Sequence, residues 1–214
     1  MARTQRIFLL SPAYCGGERA RLFLDPRTEF ELARRVRSPE GAPIGEVFSF
    51  LSGLYFRGKL AYAQEFAAPP RGVPGALVIT PNEGLRIPEE PVTIARLKRF
   101  ARGDIHEKKR SYRQPLLRDA RLIAEAAGEG CDIVLLGSVA SGKYVDVLVN
   151  VFGERLLFPI SFVGRGDMSR GGLMLRSARA GVELDYVSVV GAIRHGPRPP
   201  KLPPLPRRPA EPRP

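Results

Sequence analysis

Short runs of apolar residues alternate with longer amphipathic segments over most of the chain. The clearest run is Ile133 to Leu136, where apolar residues are consecutive, as in a strand that is buried on both faces of a sheet. Other runs share this composition and are bounded by turn-forming residues. The pattern predicts strands at residues 6–10, 76–80, 132–137, 155–159 and 183–190.

Segments with helical periodicity lie between these runs. Residues 28–37 predict one helix, and a later helix is predicted to have Pro115 in its first turn and to end at Gly128. A further helix is predicted to start near Lys143 or Tyr144. The apolar stripes of the other two helices are Phe56, Leu60, Ala63 and Ala67, and then Leu116, Leu117, Ala120, Ile123, Ala124 and Ala127.

This alternation predicts an α/β fold for residues 1–193: a single compact domain with a mainly parallel or mixed central sheet flanked by helices. Ligands bind beyond the carboxyl ends of the strands in such sheets. We therefore expect the loops at residues 11–17, 80–84 and 137–143 to lie together.

The segment from residue 194 to 214 has a different composition, rich in proline and basic residues. Prolines recur at every third position from Pro200 to Pro212, which would align them as one ridge of a polyproline II helix. Such a ridge could bind a partner protein with an aromatic-lined groove. The alternative is a disordered basic tail.

Charge indicates the class of partner. The 214-residue chain has 34 Lys and Arg against 22 Asp and Glu, a net charge of +12. This excess favours polyanions such as DNA, another nucleic acid or a nucleotide, although a compositional bias towards arginine would explain part of it. No apolar stretch approaches the roughly 20 residues of a membrane span, and no signal peptide is apparent. We expect a cytoplasmic protein without membrane contacts.

Cysteines and histidines are few and scattered. Cys15 follows the first predicted strand and Cys131 precedes a later one, so in a parallel sheet they would lie at opposite ends. A disulfide between them is not expected. With only His106 and His195 in addition, no metal site and no cofactor are predicted.

Basic residues are concentrated in residues 96–113. This run can follow the phosphates of a nucleic acid. The alternative is a solvated helix, with Ile94, Leu97, Phe100 and Ala101 inward, followed by a polar loop. The candidate phosphate-backbone contacts are Arg99, Arg102, Lys108, Lys109, Arg110 and Arg113.

The loop at residues 137–143 has the spacing of a phosphate-binding loop, because Gly137, Gly142 and Lys143 occupy the positions of the G-x-x-x-x-G-K motif. Tyr144 stands where such loops have the Ser or Thr that binds magnesium. The loop is therefore predicted to hold a phosphate without a metal, through Ser138, Ser141 and Lys143. A plain turn between a strand and a helix is the alternative.

Two further segments combine glycine with polar residues. In residues 162–176, Arg165 and Arg170 flank a turn, and Asp167 or Ser169 is predicted to cap the helix that follows. In residues 45–59, the polar residues could converge on a ligand or cap two short helices that meet at Gly53. These polar residues are Ser49, Ser52, Tyr55 and Arg57.

Four segments together resemble the YaaA peroxide-stress protein family. They are LLSPA at residues 9–13, LSGLY at 51–55, GSVASGKY at 137–144 and RGDMSR at 165–170, in the family's order. The chain departs from the family at Tyr14, where members usually have Lys. The resemblance implies a compact α/β fold, DNA binding and a role in oxidative stress. By motif, it also implies that Ser11, Ser52, Tyr55, Arg165, Ser169 and Arg170 belong to the site.

Two functions of different classes follow from these observations. The first is a nucleic-acid-binding protein of the oxidative-stress type, with a cleft that holds a phosphate. The second is an enzyme that uses the same cleft on a nucleotide or modified base, for example in N-glycosidic bond chemistry. Candidate acids or bases for it are Glu46, Asp146 and Asp167, and no catalytic residue is assigned.

Overall fold

The computed structural model describes residues 4–203. The strands are β1 (Arg6–Leu10), β2 (Ala42–Pro43), β3 (Ala76–Ile79), β4 (Leu85–Arg86), β5 (Pro91–Val92), β6 (Asp132–Leu136), β7 (Leu156–Pro159) and β8 (Tyr186–Ser188). The helices are α1 (Glu18–Leu24), α2 (Glu31–Arg37), α3 (Ile44–Ser52), α4 (Leu54–Phe66), α5 (Ile94–Ala101), α6 (Arg110–Ala127), α7 (Gly142–Phe152) and α8 (Asp167–Ala180).

The central sheet has the strand order β4-β3-β1-β6-β7-β8. Strands β3, β1, β6 and β7 are parallel, and the two edge strands, β4 and β8, are antiparallel to their neighbours. The short strands β2 and β5 form a separate antiparallel pair. The predicted α/β fold with a mixed, mainly parallel sheet is therefore confirmed.

Both faces of the sheet are buried, which explains the consecutive apolar residues of its central strands. Phe8 and Leu10 of β1 pack in one core, against residues of α3, α4 and α8. Ile7 and Leu9 point the other way, into a second core that contains α6 and α7. Because side chains alternate along a strand, a strand between two helical layers has no polar face.

Helices α4 and α8 approach each other closely where two glycines meet. A Cβ atom on Gly58 would lie 2.5 Å from the carbonyl oxygen of Gly171, so side chains are excluded at this crossing. The contact brings the first turns of the two helices together beside the carboxyl end of β1. It therefore sets the position of Tyr55, Lys59 and Asp167 relative to one another.

The predicted strands are all present, with differences at their ends. Residues 6–10 form β1 as predicted, whereas β3 and β6 each end one residue earlier than expected. Strand β7 starts at Leu156 because Arg155 belongs to a short 3-10 helix. Of the segment 183–190, Tyr186–Ser188 form β8, and Asp185 and Val189 each make one further backbone hydrogen bond, to Ile160 and Leu156.

Two helix starts and one buried position were predicted wrongly. Helix α2 begins at Glu31 instead of residue 28. Helix α6 begins at Arg110, which leaves Pro115 inside the helix and removes one backbone hydrogen bond. The added turn carries Tyr112, which is fully buried and donates a hydrogen bond to the Lys143 carbonyl at 2.9 Å. In α5, Ala101 is exposed.

Other expectations can be compared directly with the structure. Helix α6 ends at Ala127 and is followed by Gly128, whose φ of 70° suits glycine, and α3 and α4 meet at Gly53. Cys15 and Cys131 are buried free thiols. Within residues 4–203, no helix has the length and apolar character needed to cross a bilayer. The same residues contain no group of three or more His, Cys, Asp or Glu placed to hold a metal ion.

Residues 194–203 run over the domain without helix or strand. Gly164 has a φ of 71°, and a Cβ there would meet the carbonyl oxygen of Pro197, so the segment packs directly on this glycine. Arg176 of α8 donates a hydrogen bond to the carbonyl of Pro203. Most of the predicted proline ridge, with Pro206, Pro209 and Pro212, lies outside the described residues.

Candidate ligand-binding cleft

A cleft of about 470 Å³ opens beyond the carboxyl ends of β1 and β6. It lies where β1 and β6, the first and third parallel strands along the chain, are neighbours, and loops from both strands form its floor. The end of α3, the starts of α4, α7 and α8, and residues 103–105 form the wall. The residues predicted from sequence that line this cleft are Ser11, Ser52, Tyr55, Ser138 and Lys143.

Ser11 is the first residue after β1 and lies against the β6 loop. Its backbone N–H donates to the carbonyl of Leu136 at 3.1 Å. A Cβ on Gly137 would lie 2.9 Å from the Cβ of Ser11, so only glycine leaves room for this approach. The two loops are therefore in van der Waals contact, which fixes Ser11 at the base of the cleft.

Lys59 of α4 is fully buried behind Ser11. Its Nζ donates hydrogen bonds to the Ser11 carbonyl oxygen at 2.6 Å and to Ser11 Oγ at 2.9 Å. The rings of Tyr55 and Phe56 lie 4.2 and 4.9 Å from Nζ and supply cation–π contacts. Sequence reasoning missed Lys59. Its spacing from Phe56 and Ala63 places it on the buried face of the helix, and this was the available signal.

The environment of Lys59 disfavours its charged form. Burial is the main cause and lowers the pKa of Lys59 from 10.5 to about 7. The positive charges of Lys143 and Arg170 also lower this pKa, whereas the carboxylate of Asp167 opposes them. Lys59 therefore changes its charge near neutral pH, unlike a surface lysine.

Tyr55 also lines the cleft. Its hydroxyl oxygen is buried and has no hydrogen bond of normal geometry, although the side chains of Ser11 and Arg170 lie close enough to oppose the rise in pKa that burial causes. Burial raises the pKa of Tyr55 to about 12, although the positive charge of Arg170 opposes the shift. Burial also raises the pKa of Tyr144, which lines the same cleft. Both phenols are thus protonated at neutral pH.

Lys143 is the cation at the surface of the cleft. It is half-buried, with Nζ 5.1 Å from the ring centre of Tyr144, and it forms no ion pair within residues 4–203. The carboxylate of Asp146 lies against Gly142 at the start of α7. Because this negative charge occupies the helix end, an anion would be held on the side of the Lys143 ammonium group.

The cleft also has two acidic residues, and each has a basic neighbour. Asp104 lies 3.8 Å from Lys109, and both side chains are exposed. Asp167 lies 3.6 Å from the buried Arg170. Arg170 itself donates two hydrogen bonds to the Phe162 carbonyl and lines no cleft, so its charge acts on the site from beneath.

The remaining site predictions fall elsewhere. Arg165 and Ser169 line a neighbouring cleft of about 320 Å³ between α8 and residues 198–203. Arg165 donates to Ser169 Oγ at 3.2 Å. The predicted cap by Asp167 or Ser169 is wrong: Gly166 precedes the helix, and Asp167 is already its first residue. Arg57 and Ser141 are exposed and line neither cleft.

The other acids considered as catalytic groups also lie outside the cleft. Glu46 forms an ion pair with Arg35 at 2.7 Å on the surface. Asp146 is exposed on α7 and does not line the cleft. Among the three acids named from the sequence, Asp167 is therefore the one at the cleft.

The basic segment runs along the rim of the cleft. Residues 103–105, between α5 and α6, form part of the cleft wall. Arg99 is partly neutralised by Glu83 at 3.1 Å. The exposed basic side chains on either side of this wall segment are Arg102, Lys108, Lys109, Arg110 and Arg113.

No family model, no curated protein and no solved structure matches the chain. The fold and the cleft thus define an α/β protein with a polar site at the carboxyl edge of its sheet. The relationship to the YaaA family stays a prediction from the sequence.

Proposed function

We propose that this protein binds nucleic acid, with phosphates along the basic rim and one phosphate or nucleotide in the cleft. The observation that carries the proposal is the continuity of the two surfaces. Residues 103–105 line the cleft, and the exposed Lys108, Lys109 and Arg110 follow directly. A backbone held by these side chains would lead towards Lys143.

Charge supports a polyanion over a neutral ligand. Within residues 4–203, Lys143 has no acidic partner, and neither have the rim residues Arg102, Lys108, Arg110 and Arg113. Lys109 pairs with Asp104, and Arg99 pairs with Glu83. Contacts of this kind release counterions and carry little sequence information, so binding is expected to be salt-dependent and weakly selective. The chain's net charge of +12 acts in the same direction.

Kinship with the YaaA family is part of this proposal. The motif residues Ser11, Ser52 and Tyr55 share one cleft, and Arg165 and Ser169 line the adjoining one. Motif residues inherited from a common ancestor with the same site would be expected to gather in this way. A role in oxidative stress rests on the resemblance alone.

Fluorescence anisotropy with labelled single-stranded and duplex DNA tests the proposal. The variant Lys108→Glu/Lys109→Glu/Arg110→Glu is expected to weaken binding and to lower the slope of log K against log salt, by about 0.9 for each lost phosphate contact. The matched control is Arg71→Glu/Arg121→Glu/Arg179→Glu, which makes the same charge change at exposed positions that line neither cleft. Equal losses in both variants would contradict the proposal.

An enzyme acting on a nucleotide or modified base is the second candidate. It is supported by the buried Lys59, which contacts Ser11, and by the buried hydroxyl of Tyr55 at the same cleft. A buried lysine with a strongly lowered pKa beside a cleft is more typical of a functional site than of an ordinary surface position. Incubation with nucleotides and modified-base oligonucleotides, followed by chromatography, tests it. The absence of any product that depends on Lys59 would count against this candidate.

A further inference from the structure

We propose that Ser11 and Lys59 form a nucleophile–base pair that attacks the phosphorus atom of a nucleotide phosphate ester. This inference rests on the proposed function for the identity of the substrate, because a phosphate must enter the cleft. The reactivity of Ser11 is a separate property and can be measured without nucleic acid.

The geometry is that of an activated hydroxyl group. Ser11 lines the cleft, whereas Lys59 Nζ lies behind it, 2.9 Å from Ser11 Oγ and without exposure to solvent. A neutral amine has two N–H groups and one lone pair. One N–H can keep the hydrogen bond to the Ser11 carbonyl at 2.6 Å, and the lone pair can accept the Ser11 hydroxyl proton.

The charges around Lys59 allow the amine to be neutral at physiological pH. The groups that face it are Tyr55 on its own helix, Asp167 and Arg170 on α8, and Lys143 on α7. Burial is the largest influence and lowers the pKa of Lys59 to about 7. Arg170 and Lys143 add to this effect and Asp167 opposes it. A base with a pKa near the working pH is the most effective one.

The reaction balances with residues of the cleft and water. Ser11 Oγ forms a bond to phosphorus while its proton moves to Lys59 Nζ. The bond from phosphorus to the leaving oxygen breaks with its electron pair, and this oxygen takes the proton of the hydroxyl of Tyr55, which lines the same cleft. Water then attacks phosphorus and gives its proton to the Tyr55 phenolate. Ser11 Oγ leaves and recovers its proton from Lys59.

Cationic groups suit this chemistry because charge accumulates on the phosphoryl oxygens. Lys143 lies at the cleft surface, and Arg170 lies beneath it. Both would stabilise negative charge that develops in the transition state. This favours a phosphorus electrophile over an uncharged carbonyl group.

Labelling of the wild-type protein by a fluorophosphonate is the first test. We expect one adduct, mapped by mass spectrometry to Ser11, with a labelling rate that rises with pH and is half-maximal near pH 7, where Lys59 loses its proton. An adduct on another serine, or no adduct, would overturn the inference. This measurement needs no variant, so it does not depend on how well a substituted protein folds.

Variants then separate the two roles. Ser11→Ala is expected to abolish the adduct, and Lys59→Met to slow labelling by about 100-fold or more, the usual contribution of a general base. Ser111→Ala, an exposed serine of α6, is the control and is expected to label normally. Labelling of Lys59→Met at the wild-type rate, with the same pH profile, would reject the base role.

A chromogenic phosphodiester, thymidine 5′-(p-nitrophenyl phosphate), tests the substrate class. We expect release of p-nitrophenolate and an acid-stable thymidylyl adduct at Ser11. If thymidine monophosphate binds but Ser11 is labelled by neither reagent, the inference is wrong and the proposed function stands. If the fluorophosphonate labels Ser11 but no nucleotide or DNA binds, the proposed function and the nucleotide substrate are both wrong.

Discussion

Gly58 of α4 and Gly171 of α8 are in direct backbone contact, so that a Cβ on Gly58 would lie 2.5 Å from the Gly171 carbonyl oxygen. Both helices carry cleft residues one turn away, Tyr55 on α4 and Asp167 on α8. The spacing of the two helices, and with it the shape of the cleft, depends on the absence of two side chains.

Gly58→Ala is therefore expected to destabilise the protein by about 1–3 kcal/mol, because the added methyl group must push the helices apart. Urea denaturation measures this change. Gly130→Ala is the matched control, since a Cβ there meets no atom within 4 Å. Equal stability of the Gly58→Ala protein and the control would show that the crossing tolerates a side chain.

Lys143 is expected to hold the phosphate of a bound nucleotide. Lys143→Ala should weaken the binding of thymidine monophosphate by about 10- to 150-fold, which corresponds to about 1.5–3 kcal/mol for a charge-assisted hydrogen bond. Isothermal titration measures this with and without magnesium, and no difference between the two conditions is expected. Magnesium-dependent hydrolysis of ATP that Lys143→Ala abolishes would contradict the prediction.

Lys59 should make stability depend on pH. Its folded-state pKa is about 7 against 10.5 for an ordinary lysine, so between these values the unfolded chain binds more protons. The unfolding free energy therefore rises with pH across that window. Below pH 7 the buried lysine is charged, and its burial destabilises the folded protein by the full amount.

Lys59→Met removes this dependence. We expect the unfolding free energy of the variant minus that of wild type to be largest at pH 6 to 7 and to decrease towards pH 9.5. Urea titrations at several pH values measure this difference. The buried tyrosines affect both proteins alike and cancel in the difference. A difference that is constant with pH would mean that Lys59 does not titrate in this range.

Gly164 holds the segment of residues 194–203 on the domain. Gly164→Ala is expected to release it, because the added methyl group meets the Pro197 carbonyl oxygen. Trypsin should then cleave faster after Arg194 and Lys201. Gly153→Ala is the control, since Gly153 also has a positive φ but an added Cβ there meets no atom within 4 Å. The same cleavage rate in both variants would argue against a packed segment.

The sequence by itself determined the elements and their class. Consecutive apolar residues at Ile133–Leu136 indicated a strand between two helical layers, and Gly53 and Gly128 marked helix ends, because burial and backbone conformation are local requirements. The sequence also named Ser138 and Lys143 from the glycine-containing loop after a strand, and Ser11, Ser52 and Tyr55 from short motifs that resemble a family, because both kinds of pattern are local.

Tertiary structure decided which of these residues meet. Ser11 and Lys143 share a cleft because β1 and β6, distant in sequence, pair in parallel, whereas Arg165 turns to the neighbouring cleft and donates to Ser169. The helical spacing of Lys59 predicts that it is buried, but it does not predict that it belongs to the cleft. Its burial depends on α8, which can approach α4 only at Gly58 and Gly171. Such contacts depend on how whole helices pack, and no local stretch of sequence encodes them.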